Sequence, residues 1–242
     1  MLTVSNVSKR YPGADAPVLV NVSFTVNPGE RVGLIGPNGC GKTTLLRIVM
    51  GELSPDGGSV QLSPPDLRVG YLPQGLDVPD DTPLRDVLYP LAAALREAEA
   101  EVERLAAALA DAGGPNLDAP MAAYAAALDR LETLSRQVDS GESERILAGL
   151  GLGDVPLDTP VGALSGGQKT RLGLAALLVA DPHLLILDEP TNHLDVTALE
   201  WLEGWLKAFP GGALIVSHDR TFLDETVTRV VALDGQTHTA RL

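Results

Sequence analysis

The chain has 242 residues, 45% of them hydrophobic, enough for one large domain or two lobes around a shared core. With 18 basic against 32 acidic residues, its formal net charge of -14 argues against unspecific nucleic-acid binding by the body of the domain. One cysteine, Cys40, excludes an intrachain disulfide and fits a reducing compartment; no apolar run is long enough to cross a bilayer, and the N-terminus does not look like a signal peptide.

In chain order, β-rich runs are expected at Thr3 to Val7, Ser23 to Val26, Arg31 to Ile35, Ser59 to Leu62 and Leu67 to Leu72, separated by proline- and glycine-rich turns. One helix interrupts them, from Lys42 to about Met50, ended by Gly51. From about Pro83 to Leu150 the chain turns alanine- and leucine-rich. Leu95, Ala98, Val102, Leu105 and Leu109 repeat at helical spacing, as do Met121, Tyr124, Leu128, Leu131 and Val138. Two stripes joined by the loop at 111–116 predict an antiparallel helical hairpin protruding from the domain. After Ser165 helix and strand alternate. A helix leads to strand Leu184 to Leu187, then a helix around Val196 to Ala208, strand Ala213 to Val216 and strand Thr228 to Leu233. Such alternation implies a mainly parallel sheet with covering helices. Trp201 and Trp205, four apart on one helix face, are expected to pack against the core.

Gly36-Pro37-Asn38-Gly39-Cys40-Gly41-Lys42-Thr43 follows a β-run and opens a helix, the setting of a phosphate-binding loop. Glycines let the backbone wrap around phosphate oxygens, and the helix start adds a positive dipole end. Lys42 would hold the β- and γ-phosphates, and the Thr43 hydroxyl would ligate Mg²⁺. Leu184 to Leu187 is an apolar strand that would deliver Asp188 and Glu189 to the same sheet edge. Asp188 suits the Mg²⁺ shell; Glu189 suits a general base or orienter of the attacking water. Leu164-Ser165-Gly166-Gly167-Gln168 opens a helix, with Ser165 as N-cap and glycines exposing backbone N–H groups. Cys40, close to Lys42 and a helix start, is a candidate for a reactive thiol.

These motifs together resemble the ABC ATPases, in the family's order and over essentially the whole chain. Leu164 to Gln168 is similar to the signature motif, Gln74 to the Q-loop glutamine, Asp195 to the D-loop aspartate and His218 to the switch histidine. Tyr11 sits where that family stacks an aromatic ring on adenine. The resemblance implies ATP and Mg²⁺ as ligands, with Thr44 added to the nucleotide contacts and Gln74 joining Thr43 and Asp188 at the metal. It also implies a catalytic pair of Glu189 and His218, and a second cassette whose signature motif completes the site in trans. The implied fold is α/β: a P-loop ABC ATPase core with a mainly parallel sheet, an N-terminal antiparallel β subdomain and a helical subdomain bearing a hairpin arm. The expected division of 1–242 is an ATPase core of 1–82 and 160–242 and a helical subdomain of 83–159.

Asn192-His193-Leu194-Asp195 is similar to the ABC-F subfamily, and ninety positions separate Gln74 from Leu164, room for that subfamily's arm. This implies a cytoplasmic factor acting on the ribosome in translation or antibiotic resistance, without a transmembrane segment of its own. The chain matches the N-terminal cassette of such a tandem protein, or a half-size one that pairs with a second copy. From Arg85 to Arg145 there are six Arg against twelve Asp plus Glu, so contact with rRNA would rest on Arg96, Arg104, Arg130 and Arg136. The alternative reading is the ATPase subunit of a membrane transporter. An SMC-like DNA-maintenance ATPase would need a far longer coiled coil.

Overall fold

The computed structural model describes residues 1–13, 16–72, 78–111, 118–135 and 141–241. A three-stranded antiparallel sheet comes first, with β1 (Leu2–Lys9) between β2 (Leu19–Val26) and β4 (Gly57–Leu62). Leu2 and Val4 point into the core, but so does Val7, one position out of phase. The register shifts between Val4 and Val7, and Asn6 takes a φ of 50°, so a bulge turns the strand's apolar face back inward.

The second sheet runs β5 (Val69–Leu72), β6 (Leu184–Asp188), β7 (Gly212–Val216), β3 (Arg31–Ile35), β8 (Arg229–Leu233) and β9 (Ala240–Arg241). All its pairings are parallel except that of β8 with β9. Every residue of β6 and β7 is buried, because both faces are covered. Leu184, Ile186, Leu214 and Val216 face α1 (Lys42–Val49) and the antiparallel sheet. Leu185, Leu187, Ala213 and Ile215 face the opposite layer. That layer contains α2 (Leu84–Leu88), α5 (Gly141–Gly149), α6 (Gly166–Val179), α7 (Val196–Ala208) and α8 (Arg220–Thr226).

The helical stretch expected from Pro83 to Leu150 is four helices, of which α3 (Pro90–Asp111) and α4 (Asp118–Ser135) form the hairpin. α5 stands apart from the hairpin and buries Ile146 and Leu147. Among the described residues α4 packs mainly on α3, and one main packing partner covers only a narrow stripe. Met121 and Leu128, expected on the apolar face, are therefore 58% and 40% exposed. The side chain of Leu95, and Val138, lie outside the described residues. The chain enters and leaves this helical stretch through paired backbone: Val161 N–H donates to Thr82 O at 2.8 Å and Leu84 N–H to Thr159 O at 3.0 Å. α8 and β9 are two elements that sequence periodicity does not announce, being seven and two residues long.

Trp205 stacks on Phe209 at 5.0 Å between ring centroids, and Trp201 lies over Gly149 at the end of α5. A Cβ on Gly149 would fall 2.1 Å from the Trp201 indole. Gly149→Ala should therefore force the ring aside and cost about 1–3 kcal/mol in denaturant unfolding. An unchanged unfolding midpoint would show that α5 and α7 are not in this contact.

Candidate nucleotide site

β3 ends at Ile35 and the loop 36–41 leads into α1. Its shape requires glycine where neighbours crowd the backbone. A Cβ on Gly36 would lie 2.6 Å from Cys40 Sγ and 2.7 Å from Leu233 O; one on Gly41, at φ 103°, would meet Leu19 and Val18 side chains at 2.9 Å. Gly41 is also the N-cap of α1 and offers no side-chain acceptor, so the first helical N–H groups stay available for an outside anion. The Lys42 ammonium donates to the loop carbonyls of Gly36 at 2.8 Å and Pro37 at 3.2 Å. Cys40 is only 2% exposed and packs in the core behind the loop. That burial counts against the reactive thiol expected from its place beside Lys42, since oxidants reach exposed thiolates.

The fully buried strand β6 delivers Asp188 beside this loop. Burial, and next the charge of Glu189, push its carboxyl above the ordinary aspartate range, while Lys42 and His218 pull it down. Glu189 leaves the strand at φ 53°, with its N–H on Val216 O at 2.8 Å. Its carboxylate accepts the His218 backbone N–H at 3.1 Å and lies 3.4 Å from His218 Nε2. His218 is held in place by its successor: Asp219 caps α8 through the Phe222 N–H at 3.1 Å and donates its own N–H to Ser217 Oγ at 3.0 Å. Tyr11 stands over α1, with its hydroxyl 3.3 Å from Thr44 Oγ1.

A cavity of about 550 Å³ unites these groups. Tyr11, Asn38, Gly39, Gly41, Lys42, Thr43, Thr44, Asp188, Glu189 and His218 line it, together with Val18 and Val216. Gly36, Pro37 and Cys40 are not in that lining, and Gln74 lies outside the described residues. Val18 escaped sequence reading because a valine before a strand carries no chemical signal; its place against Gly41 appears only in three dimensions.

The residues 164–168 and Asp195 are absent from that lining. Ser165 caps α6 in a reciprocal box with Gln168, at 3.2 and 3.0 Å. A Cβ on Gly166 would meet nothing within 4 Å, so the α6 start is open to an outside ligand. Asp195 caps α7 through the Ala198 N–H at 2.9 Å, and that bond, helped by Arg171, holds its carboxyl below the usual range.

Residues 19–192 match the sequence profile described as ABC transporter. The chain belongs to this family. It is an ATP-binding cassette. It is 43% identical over 236 residues to the tylosin resistance ATP-binding protein TlrC of Streptomyces fradiae, covering 97% of this chain and 42% of that protein. It is 36% identical over 235 residues to ABC transporter F family member 5 of Arabidopsis thaliana, covering 94% of this chain and 33% of that protein. The cassette thus spans less than half the length of these relatives. In fold it is similar to the ATP-binding subunit of an ABC transporter (TM-score 0.69, 22% identity, covering 100% of this chain and 88% of that one). It is also similar to a dimeric ATP-binding cassette in a post-hydrolysis state with ADP and phosphate (TM-score 0.66, 21% identity, covering 100% and 97%). No helix among the described residues is long and apolar enough to cross a membrane.

Among the described residues no group of three or more His, Cys, Asp or Glu side chains forms a metal cage. Mg²⁺ suits the cavity nonetheless, because it takes one or two protein oxygens and completes its shell with phosphates and water. Thr43 and Asp188 line the same cavity, and the crowding of Asp188 by Glu189 is the kind of negative excess a divalent cation offsets.

A carboxyl raised by burial is unfavourable when ionised, so Asp188 withdraws stability as pH rises through its raised pKa. Asp188→Asn should raise the thermal midpoint of the nucleotide-free chain at pH 7, and the gain should vanish below the ordinary aspartate range. Thermal scans across pH check this; a gain that persists in acid contradicts it.

Proposed function

We propose that this cassette binds and hydrolyses ATP with Mg²⁺, and that two cassettes facing head to tail complete the reaction. The observation that carries the reading is the meeting of Lys42, Thr43, Asp188, Glu189 and His218 in one cavity at the carboxyl ends of β3, β6 and β7. Loop N–H groups and Lys42 would hold the phosphates, with Lys42 exchanging its Gly36 and Pro37 carbonyls for phosphate oxygens. Thr43 and Asp188, with Gln74, would hold Mg²⁺, which screens the β- and γ-phosphate charge. Glu189 would take the proton of the attacking water, oriented by its contacts to His218. Tyr11 would stack on the base.

Leu164 to Gln168 would serve the γ-phosphate of a partner cassette, since the open start of α6 takes no part in the cassette's own cavity lining. Closure with ATP and reopening after hydrolysis would switch the grip on a partner by population shift. The proposed domain division is the ATPase core of 1–82 and 160–242 with the helical subdomain of 83–159. The paired backbone at Thr82–Leu84 and Thr159–Val161 supports it.

The partner proposed is the ribosome, in translation or antibiotic resistance in the cytoplasm. It is supported by the likeness to the tylosin resistance protein and to the F family member, and by the α3–α4 hairpin. Arg104, expected to face rRNA, is held by Glu101 at 2.6 and 2.9 Å and would have to exchange that partner.

Glu189→Gln should bind ATP like the wild type but turn it over about 100-fold or more slowly in single-turnover assays. In co-sedimentation, that variant should associate with ribosomes when ATP is present and not without it. Wild-type turnover refutes the role of Glu189; absence of ATP-dependent association refutes the ribosomal partner.

A further inference from the structure

The seven residues from Glu189 to Asp195 join β6 to α7 and carry two non-glycine residues at positive φ, Glu189 at 53° and His193 at 67°. Such conformations persist only where the surroundings hold them. At the first end the Glu189 carboxylate accepts the His218 N–H. At the other end Arg171, one turn into α6, reaches across with one edge of its guanidinium. Nε donates to His193 O at 3.3 Å, and Nη2 meets Asp195 Oδ2 at 2.9 Å. The Arg171 side chain is 19% exposed and that of Asp195 57%, so the hold rests on the two-point geometry rather than on burial of the charges. A second contact is independent of charge: a Cβ on Gly167 would touch His193 at 3.7 Å, so the first turn of α6 lies against the same segment.

We propose that Arg171 is a positioning residue that fixes the Glu189–Asp195 segment to the start of α6. Through it, Glu189 in the cassette's own cavity and the Ser165–Gly167 helix start, which faces outward, move as one body. Arg171 is not among the residues that line the cavity. It acts through His193 and Asp195 on the placement of Glu189, and its catalytic consequence rests on the hydrolysis reading above.

Two readouts separate this proposal from that reading. In nucleotide-free protein, hydrogen exchange reports the Asn192 and Leu194 amides, which close turns onto Glu189 and Thr191. In Arg171→Ala these amides should exchange about tenfold faster or more. In Arg171→Lys, which keeps a charge and loses the fork, they should fall between Ala and wild type. Lys207→Ala, which removes an exposed ion pair with Glu225, should leave them unchanged. In steady-state ATPase assays Arg171→Ala should lower kcat about tenfold with KM for ATP within about twofold, and Arg171→Lys should recover part of the loss. Unchanged exchange in Arg171→Ala overturns the clamp. Faster exchange with unchanged kcat, or a rise in KM alone, overturns its catalytic role. A wild-type chain that hydrolyses no ATP overturns the hydrolysis reading, and exchange alone then decides the clamp.

Discussion

The structure turns on two adjacent carboxylates at the end of a buried strand. Asp188 and Glu189 close β6, whose five residues are all buried between two apolar layers. Placing negative charge there is costly, and the rise of the Asp188 carboxyl records that cost. The surrounding structure limits it. Lys42 approaches from the phosphate loop, and the His218 N–H and ring engage Glu189. Three strands must end at the same edge for these groups to meet, and the parallel order of β6, β7 and β3 provides that edge. A site in which two carboxylates face one lysine is suited to a cation carried in with phosphates, as ATP with Mg²⁺ would be.

The two parts of the proposed reaction apparatus occupy different places in one cassette. The cavity lies over the phosphate loop, while the helix start after Ser165 opens outward and contributes nothing to the cavity lining. Among the described residues, the Ser165 side chain caps α6 in its box with Gln168. Arg171 ties that helix to the segment that carries Glu189. Under the proposed head-to-tail pairing, each cassette offers one complete phosphate cradle and lends a helix start to its neighbour.

Much of this was legible in the sequence because chemistry and backbone demands coincide there. The glycines of 36–41 are both the phosphate motif and the residues a crowded loop requires. The apolar run before Asp188 is both a strand signal and the means of burial. What escaped was set by contacts between distant residues. Arg171 reads as one charge on a helix, and its partners lie 22 and 24 positions on. α8 is too short to show a period, though Asp219 announces its cap once the helix is known. The stripe of α4 has the spacing of an apolar face, but with α3 as its packing partner Met121 and Leu128 stay exposed. Burial, which sequence adjacency does not encode, counts against the reactive thiol inferred from the neighbours of Cys40.

The central claim is that one chain holds two half-sites, and subunit mixing tests it most directly. Lys42→Ala removes the phosphate cradle, and Ser165→Glu places a negative charge at the open helix start. Each variant alone should be inactive, and mixing the two should restore part of the wild-type ATPase rate, because one composite site in each mixed pair is intact. Full turnover by the Ser165→Glu chain alone would contradict the claim, since the site would then be complete within a single cassette.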